Sequence, residues 1–173
     1  MNLINGVTKN EKSDEWYTPL PTAKKCYELL NLDPALTIMC PYDNTDSNFV
    51  KHARLIGHKV IFNIDDFLTK DYDFDAVVTN PPFSIKDKVI ERVLKAGKPA
   101  ALIMPIDSLG GVARRRMFST YGYPSIYVPM KRINYVDGIG LNRKAANFHS
   151  IIMLLNRDVK PLLMYEKWGY NGS

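Results

Sequence analysis

Short apolar runs alternating with helix-patterned segments constrain this chain more than any other feature. Thr37-Ile38-Met39-Cys40, Lys59 to Ile64, Asp75 to Thr79 around Ala76-Val77-Val78, and Ala100 to Met104 each read as a strand. Between them the apolar residues recur at helical spacing. Leu20 to Leu30 places Ala23, Tyr27 and Leu30 together, with Pro21 set to start the helix. Ser47 to Ile56 places Phe49, Val50, Ala53 and Ile56 on one face, with Ser47 as N-cap and Gly57 just past the end. Ile85 to Ala96 carries the stripe Ile85, Val89, Ile90, Val93 and Leu94, and Gly97 ends it. Later strands are expected at Ser125 to Val128, Ser150 to Leu155 and Leu162 to Tyr165. This rhythm predicts a doubly wound α/β sheet.

Such sheets hold ligands beyond the carboxyl ends of their strands. Three places qualify: after Cys40, after Ile64 and after Thr79. The length of 173 residues and a 46 % hydrophobic content fit a single domain with a real core. Residues 1–13 are expected to form a flexible tail, and no separate target-recognition domain is expected. The two cysteines, Cys26 and Cys40, have no metal-ligand spacing and make no disulfide framework, so no metal is predicted. No signal-peptide core and no apolar run near the ~20 residues of a membrane span is present. The expectation is a cytoplasmic protein without membrane contact. The net charge of +5 and a pI near 9.1 suit a polyanionic partner.

Thr79 is followed by Asn80-Pro81-Pro82-Phe83. The two prolines fix the backbone and remove two amide donors. A ring-attached amine is a poor nucleophile because its lone pair is delocalised. An Asn side-chain oxygen and a backbone carbonyl can both accept from that NH₂ group, positioning the nitrogen and concentrating its lone pair. The aromatic supplies a face on which an extruded base can stack. Asn80 is not basic, so its role is to position the amine.

This motif resembles the Asp/Asn-Pro-Pro-Tyr/Phe/Trp motif of the N6-adenine DNA methyltransferases and their relatives. Cys40-Pro41-Tyr42-Asp43 and Ser47-Asn48-Phe49 resemble the Cys-Pro-Phe-Asp and Ser-Asn-Phe of a short, phage- or prophage-type branch. Trp16-Tyr17-Thr18-Pro19 is similar to the Trp/Tyr-Thr-Pro segment that covers the cofactor in many of these enzymes. The order of the three is that of the gamma class, and the resemblance covers roughly residues 14 to 155. It implies a Rossmann-like S-adenosylmethionine-dependent fold and S-adenosyl-L-methionine as cofactor. It further implies that Trp16, Tyr17, Thr18, Pro19, Cys40, Pro41, Tyr42, Asp43, Ser47 and Asn48 surround that cofactor, with Asp43 accepting from its methionine amino group. Asp65 is implied for the ribose, and Asp66 with Phe67 for the cofactor's adenine. The chain departs from the common pattern in lacking a glycine-rich first motif.

Between Gly110 and His149 lie Arg114, Arg115, Arg116, Lys131, Arg132, Arg143 and Lys144, interleaved with aromatics. Basic and aromatic residues together suit phosphate contact and base stacking, so these seven are the expected nucleic-acid contacts. The expected activity is methyl transfer to the N6 amine of adenine in DNA, with RNA as a further candidate partner. Similar motifs serve methyltransferases of RNA bases and of protein glutamine amides. A reading of another class is an inactive DNA-binding or regulatory module on the same fold. The oligomeric state is not legible in the sequence.

Overall fold

The computed structural model describes residues 17–136, 143–145 and 147–167, with the backbone alone described over 143–145. Helix α1 spans Leu20–Leu30, has a proline in its first turn and ends on Asn31 in the left-handed region. Strand β1 (Thr37–Cys40) leads to α2 (Asn48–Leu55), whose N-cap Ser47 accepts from the Phe49 amide. Strand β2 (Lys59–Phe62) and β3 (Ala76–Thr79) follow, then α3 (Lys86–Ala96), β4 (Ala100–Pro105) and α4 (Val112–Tyr121). The chain continues through β5 (Ser125–Val128), β6 (Asn134–Val136), β7 (Arg143–Ala145), β8 (Ser150–Leu155) and β9 (Leu163–Tyr165).

Seven strands form one sheet in the order β2-β1-β3-β4-β8-β5-β9. Every pairing is parallel except those of β8, which runs antiparallel to both β4 and β5. Strands β6 and β7 make a separate antiparallel ribbon.

Strand alternation divides the core in two. Ile38, Cys40, Ala76, Val78, Ala101, Ile103, Ile152 and Leu154 face α1 and α2. Met39, Val77, Leu102, Met104, Ile151 and Met153 face the layer of α3 and Phe118 of α4. Side chains one residue apart thus serve opposite layers, as the pleat requires. Burial of a large aliphatic side chain such as Ile90 or Leu102 contributes roughly 1.5–3 kcal/mol, and these two are fully enclosed.

After β1 the chain moves outward to β2, then crosses back to place β3 on the other side of β1. The strand order therefore reverses between β1 and β3. A crevice opens at such a reversal, beyond the carboxyl ends of the two strands. The residues that arrive there are Pro41–Asp43 and Asn80.

Two departures from the sequence expectation have physical causes. Strand β2 ends at Phe62 because Asn63 turns into the left-handed region. The chain then folds back, with Asn63 N donating to Asp43 O at 2.8 Å and Ile64 N to Pro41 O at 2.7 Å. Helix α4 has no wide apolar stripe. Only Phe118 of its residues is buried, and Arg114-Arg115-Arg116 occupies its middle, so periodicity cannot find it.

Candidate functional site

Asp43 lies at the end of β1 and ties the crevice together. Its Oδ1 accepts from Ser47 Oγ at 2.6 Å and its Oδ2 from Thr79 Oγ1 at 2.7 Å. Ser47 caps α2, and Thr79 is the last, fully buried residue of β3. The carboxyl thus bridges the loop after β1 to the residue preceding Asn80. Burial pushes its pKa up to about 6, against the two hydroxyl donors that hold it down. Among the described residues no cationic side chain bridges to it. At neutral pH it is a sheltered anion with unspent lone pairs.

Asn80 emerges directly from β3. Pro81 behind it is buried, Pro82 is exposed, and Phe83 opens a short 3-10 turn through Ile85. The Phe83 ring is 37 % exposed and meets the edge of Phe148, with ring centres 4.9 Å apart. The Asn80 side-chain oxygen is buried and has no hydrogen-bond partner. The phenol oxygen of the buried Tyr135 lies 3.3 Å from Ser150 Oγ. Burial raises the Tyr135 pKa, and the contacts with Ser150 and Asn80 oppose that rise.

Unmet hydrogen-bonding capacity gathers in this region. Among the described residues five buried side-chain polar atoms lack partners. Three of them are Thr18 Oγ1, Tyr42 Oη and Asn80 Oδ1, which belong to the three sequence segments expected to form the site. Buried polar groups are normally paired, so an unpaired group marks a place where a ligand can supply the partner.

The N-terminal segment lies over the loop after β1. Tyr17 N donates to Val136 O at 2.7 Å and Val136 N to Tyr17 O at 3.0 Å, fastening the segment to β6. Asn44 Nδ2 donates to Tyr17 Oη at 2.7 Å, and Asn48 Nδ2 to Thr18 O at 2.9 Å. Pro19 precedes α1 as its cap residue. Trp16 lies outside the described residues. Cys40 points away from the crevice into the layer of α1 and α2, with its sulfur 3.8 Å from Tyr27 Oη. Only its backbone faces the loop.

The turn after β2 is arranged differently from the sequence expectation. Asp65 is exposed. Asp66 is engaged by Lys70 at 2.6 Å and by the Tyr72 hydroxyl, and both contacts lower its pKa. Phe67 is fully buried, edge-on to Tyr42 and near Phe74. It is part of the core beneath the turn because its ring completes the apolar layer around Met39 and Val89. Asp66 and Phe67 are therefore not presented together on an open wall.

The basic segment is divided. Arg114 is a structural clamp: it pairs with Asp87 at 2.7 Å and donates to the carbonyls of Asp107 and Gly110 at 3.0 and 2.9 Å. Four of its five N–H donors are engaged inside the protein, which leaves one for a phosphate. Arg115 and Arg116 are exposed on α4, and Arg115 lines an apolar groove with Val112 and Leu162. Lys131 and Arg132 are exposed in the loop after β5 and line a different groove, beside Lys25 and Pro21 of α1. Arg143 and Lys144 lie in β7, and their side chains are outside the described atoms.

Sequence reasoning missed Tyr135, Phe148 and Ser150 near the motif, and it missed the hydrogen bond from Thr79 to Asp43. Ser150 is far from Asn80 in the chain and is brought alongside by the pairing of β8 with β4, while Tyr135 comes from the separate β6–β7 ribbon. Among the described residues no helix is long and apolar enough to cross a membrane, and no group of His, Cys, Asp or Glu is placed to hold a metal.

No family model and no curated protein matches the chain. Solved structures do. A modification subunit of a putative type I restriction enzyme from Vibrio vulnificus superposes with a TM-score of 0.55 at 13 % identity, over 84 % of this chain and 45 % of that one. The M protein of the type I restriction enzyme EcoKI gives 0.52 at 12 % identity, over 79 % and 43 %. A putative class I S-adenosylmethionine-dependent methyltransferase from Listeria monocytogenes gives 0.54 at 13 % identity, over 86 % and 64 %. The chain has the Rossmann-like methyltransferase fold. It spans less than half the length of the two restriction-enzyme subunits. The likeness extends to the fold of this chain.

Proposed function

We propose that this chain is an S-adenosylmethionine-dependent methyltransferase acting on the exocyclic N6 amine of adenine in DNA. The observation that carries this reading is the buried, unpartnered Asn80 Oδ1 beside the half-exposed Phe83, at the strand-order reversal. An amide oxygen in that state accepts from an NH₂ group, and the adjoining ring offers a stacking face to the base that bears it.

The residues around the crevice fit the cofactor. Asp43 is a sheltered anion without a cationic partner, suited to the methionine ammonium. The free amides of the first turn of α2, with Thr18 Oγ1 and Tyr42 Oη, offer further polar contacts. Asp65 remains the candidate for the ribose, and Tyr17 with Pro19 for the cover. Bound S-adenosylmethionine supplies a methyl group on a positively charged sulfur. The chain's own contribution is alignment: Asn80 holds the target nitrogen, Phe83 holds its ring, and the rigid prolines fix both. Arg115, Arg116, Lys131 and Arg132 supply exposed positive charge for the phosphates, with Arg143 and Lys144 as further candidates.

The test is transfer of labelled methyl from the cofactor to DNA, RNA and protein in parallel, with Asn80→Ala as control. Label in adenine of DNA, lost in the variant, is the expected result. Label only in RNA or protein would move the substrate assignment. No label in any, together with no cofactor binding at millimolar concentration, would leave a binding module on a methyltransferase fold.

A further inference from the structure

Strand β4 runs on to Pro105, three residues beyond the Leu102 that pairs with Thr79. At about 3.3 Å per residue it carries its following loop roughly 10 Å past the end of β3, at the end of the sheet where Asn80 emerges. That loop, Ile106 to Val112, turns large apolar side chains outward: Ile106 is 45 %, Leu109 39 % and Val112 72 % exposed. Single exposed aliphatics are ordinary, but three within one short loop call for a partner.

One side chain holds the loop. Arg114 donates from Nη1 to Asp107 O at 3.0 Å and to Gly110 O at 2.9 Å. Its Nε and Nη2 donate to the two carboxylate oxygens of Asp87 at 2.7 and 3.3 Å. Asp87 stands in the first turn of α3, four residues after Phe83. Arg114 thus fixes the apolar loop relative to the segment that offers the stacking face. The surroundings are cationic: Arg115 and Arg116 are exposed on α4 and Lys88 is exposed beside Asp87, against the single acid of the loop, Asp107.

We propose that the loop Ile106 to Val112 is a wedge that enters duplex DNA beside the target base, with Arg114 as the positioning residue that braces it against the Phe83 segment. The inference rests on the adenine-methylating reading above. An extruded base leaves a gap in the stack, and an apolar side chain placed there recovers part of the lost stacking. The side chain has to be held beforehand, since ordering it on insertion costs part of the gain. The brace meets that need, and the exposed cations attract the phosphates that flank the gap.

The experiment is single-turnover methyl transfer to a duplex containing an adenine that the wild type methylates, and to the same duplex with a mismatch opposite that adenine. A mismatched base is easier to extrude and needs a wedge less. Leu109→Ser combined with Val112→Ser should lower the rate on the paired duplex roughly tenfold and on the mismatched duplex far less, with cofactor affinity unchanged. Arg114→Lys keeps the charge and loses the fork; it should show the same rescue by the mismatch, which a merely destabilised protein would not. 2-Aminopurine in place of the target adenine should gain fluorescence on binding the wild type and gain less with either variant. An undiminished rate on paired DNA, or an equal loss on both duplexes, would overturn the wedge. So would unaltered fluorescence together with a wild-type dimer that the serine substitutions dissolve, which would give the loop to a second copy of the chain. If the wild type methylates no adenine, the functional reading falls, and duplexes with 2-aminopurine at scattered positions decide the wedge alone. A fluorescence gain lost in the serine variant keeps it, and no gain overturns it.

Discussion

Thr79 Oγ1 donates to Asp43 Oδ2 at 2.7 Å, joining the carboxyl end of β3 to that of β1 one residue before Asn80. A single hydroxyl thus spans the point where strand order reverses. Thr79→Val keeps the shape and removes the donor. The carboxyl then loses one of two groups that hold its pKa down, so its protonation should move to higher pH. Cofactor affinity near pH 6 should fall by about 2- to 10-fold, the scale of one hydrogen bond. Calorimetric titration at pH 6 and 8 checks this; equal affinities for both proteins at pH 6 would refute it.

The sign of the pH effect on stability follows from the same carboxyl. Its folded pKa of about 6 stands above the unfolded value, so the folded state binds the proton more tightly. The stabilisation is complete below about pH 4 and is lost as pH rises through about 6. Asp43→Asn should remove that slope, so that the ~1–3 kcal/mol the cofactor-free wild type loses between pH 4 and pH 7.5 is not lost by the variant. Urea unfolding across this range is the measurement, and parallel curves for the two proteins would contradict it. Cofactor affinity should move the opposite way, rising with pH through about 6 as the anion forms.

Phe83→Ala should weaken capture of the target base rather than the cofactor. Stacking is worth roughly 1–3 kcal/mol per base, or about 5- to 150-fold in affinity. Phe83→Tyr and Phe83→Trp should retain much of the activity. Single-turnover transfer paired with cofactor titration separates the effects; a weakened cofactor in Phe83→Ala would place this ring in the other pocket.

Arg114 and Arg116 are neighbours in sequence and should fail differently. Arg114→Ala breaks the tie to Asp87 and two carbonyls and should cost about 1–2 kcal/mol of stability, leaving the salt dependence of DNA binding unchanged. Arg116→Ala should leave stability unchanged and lower the log–log salt slope by about 0.9 on duplex DNA. Thermal melts and binding at several salt concentrations distinguish them. An unchanged slope in Arg116→Ala would put that residue on a solvated surface.

The strands and helices up to Pro105 were legible because their apolar residues lie at the spacing their burial demands, and Ser47 and Gly97 mark helix ends chemically. The motif around Asn80 and the loop after Cys40 were legible as residue types at strand ends. Phe67 was not, because an aromatic under a turn and one beside a ligand read alike in sequence. The internal bonds of Arg114 were not legible, because an arginine run does not disclose which guanidinium finds internal carbonyls. Tyr135 was not legible near the motif, since its placement depends on a ribbon outside the main sheet.

That ribbon has a consequence for the order of events. Tyr17 is bound to Val136 by hydrogen bonds in both directions, and Val136 is the next residue after Tyr135. The segment expected to cover the cofactor and the buried Tyr135 therefore share one short stretch of backbone. On the proposed reading, a cofactor that ordered the Tyr17 segment would order β6 with it. Linkage then demands reciprocity: whatever factor the cofactor adds to the grip on the base, the base returns to the grip on the cofactor.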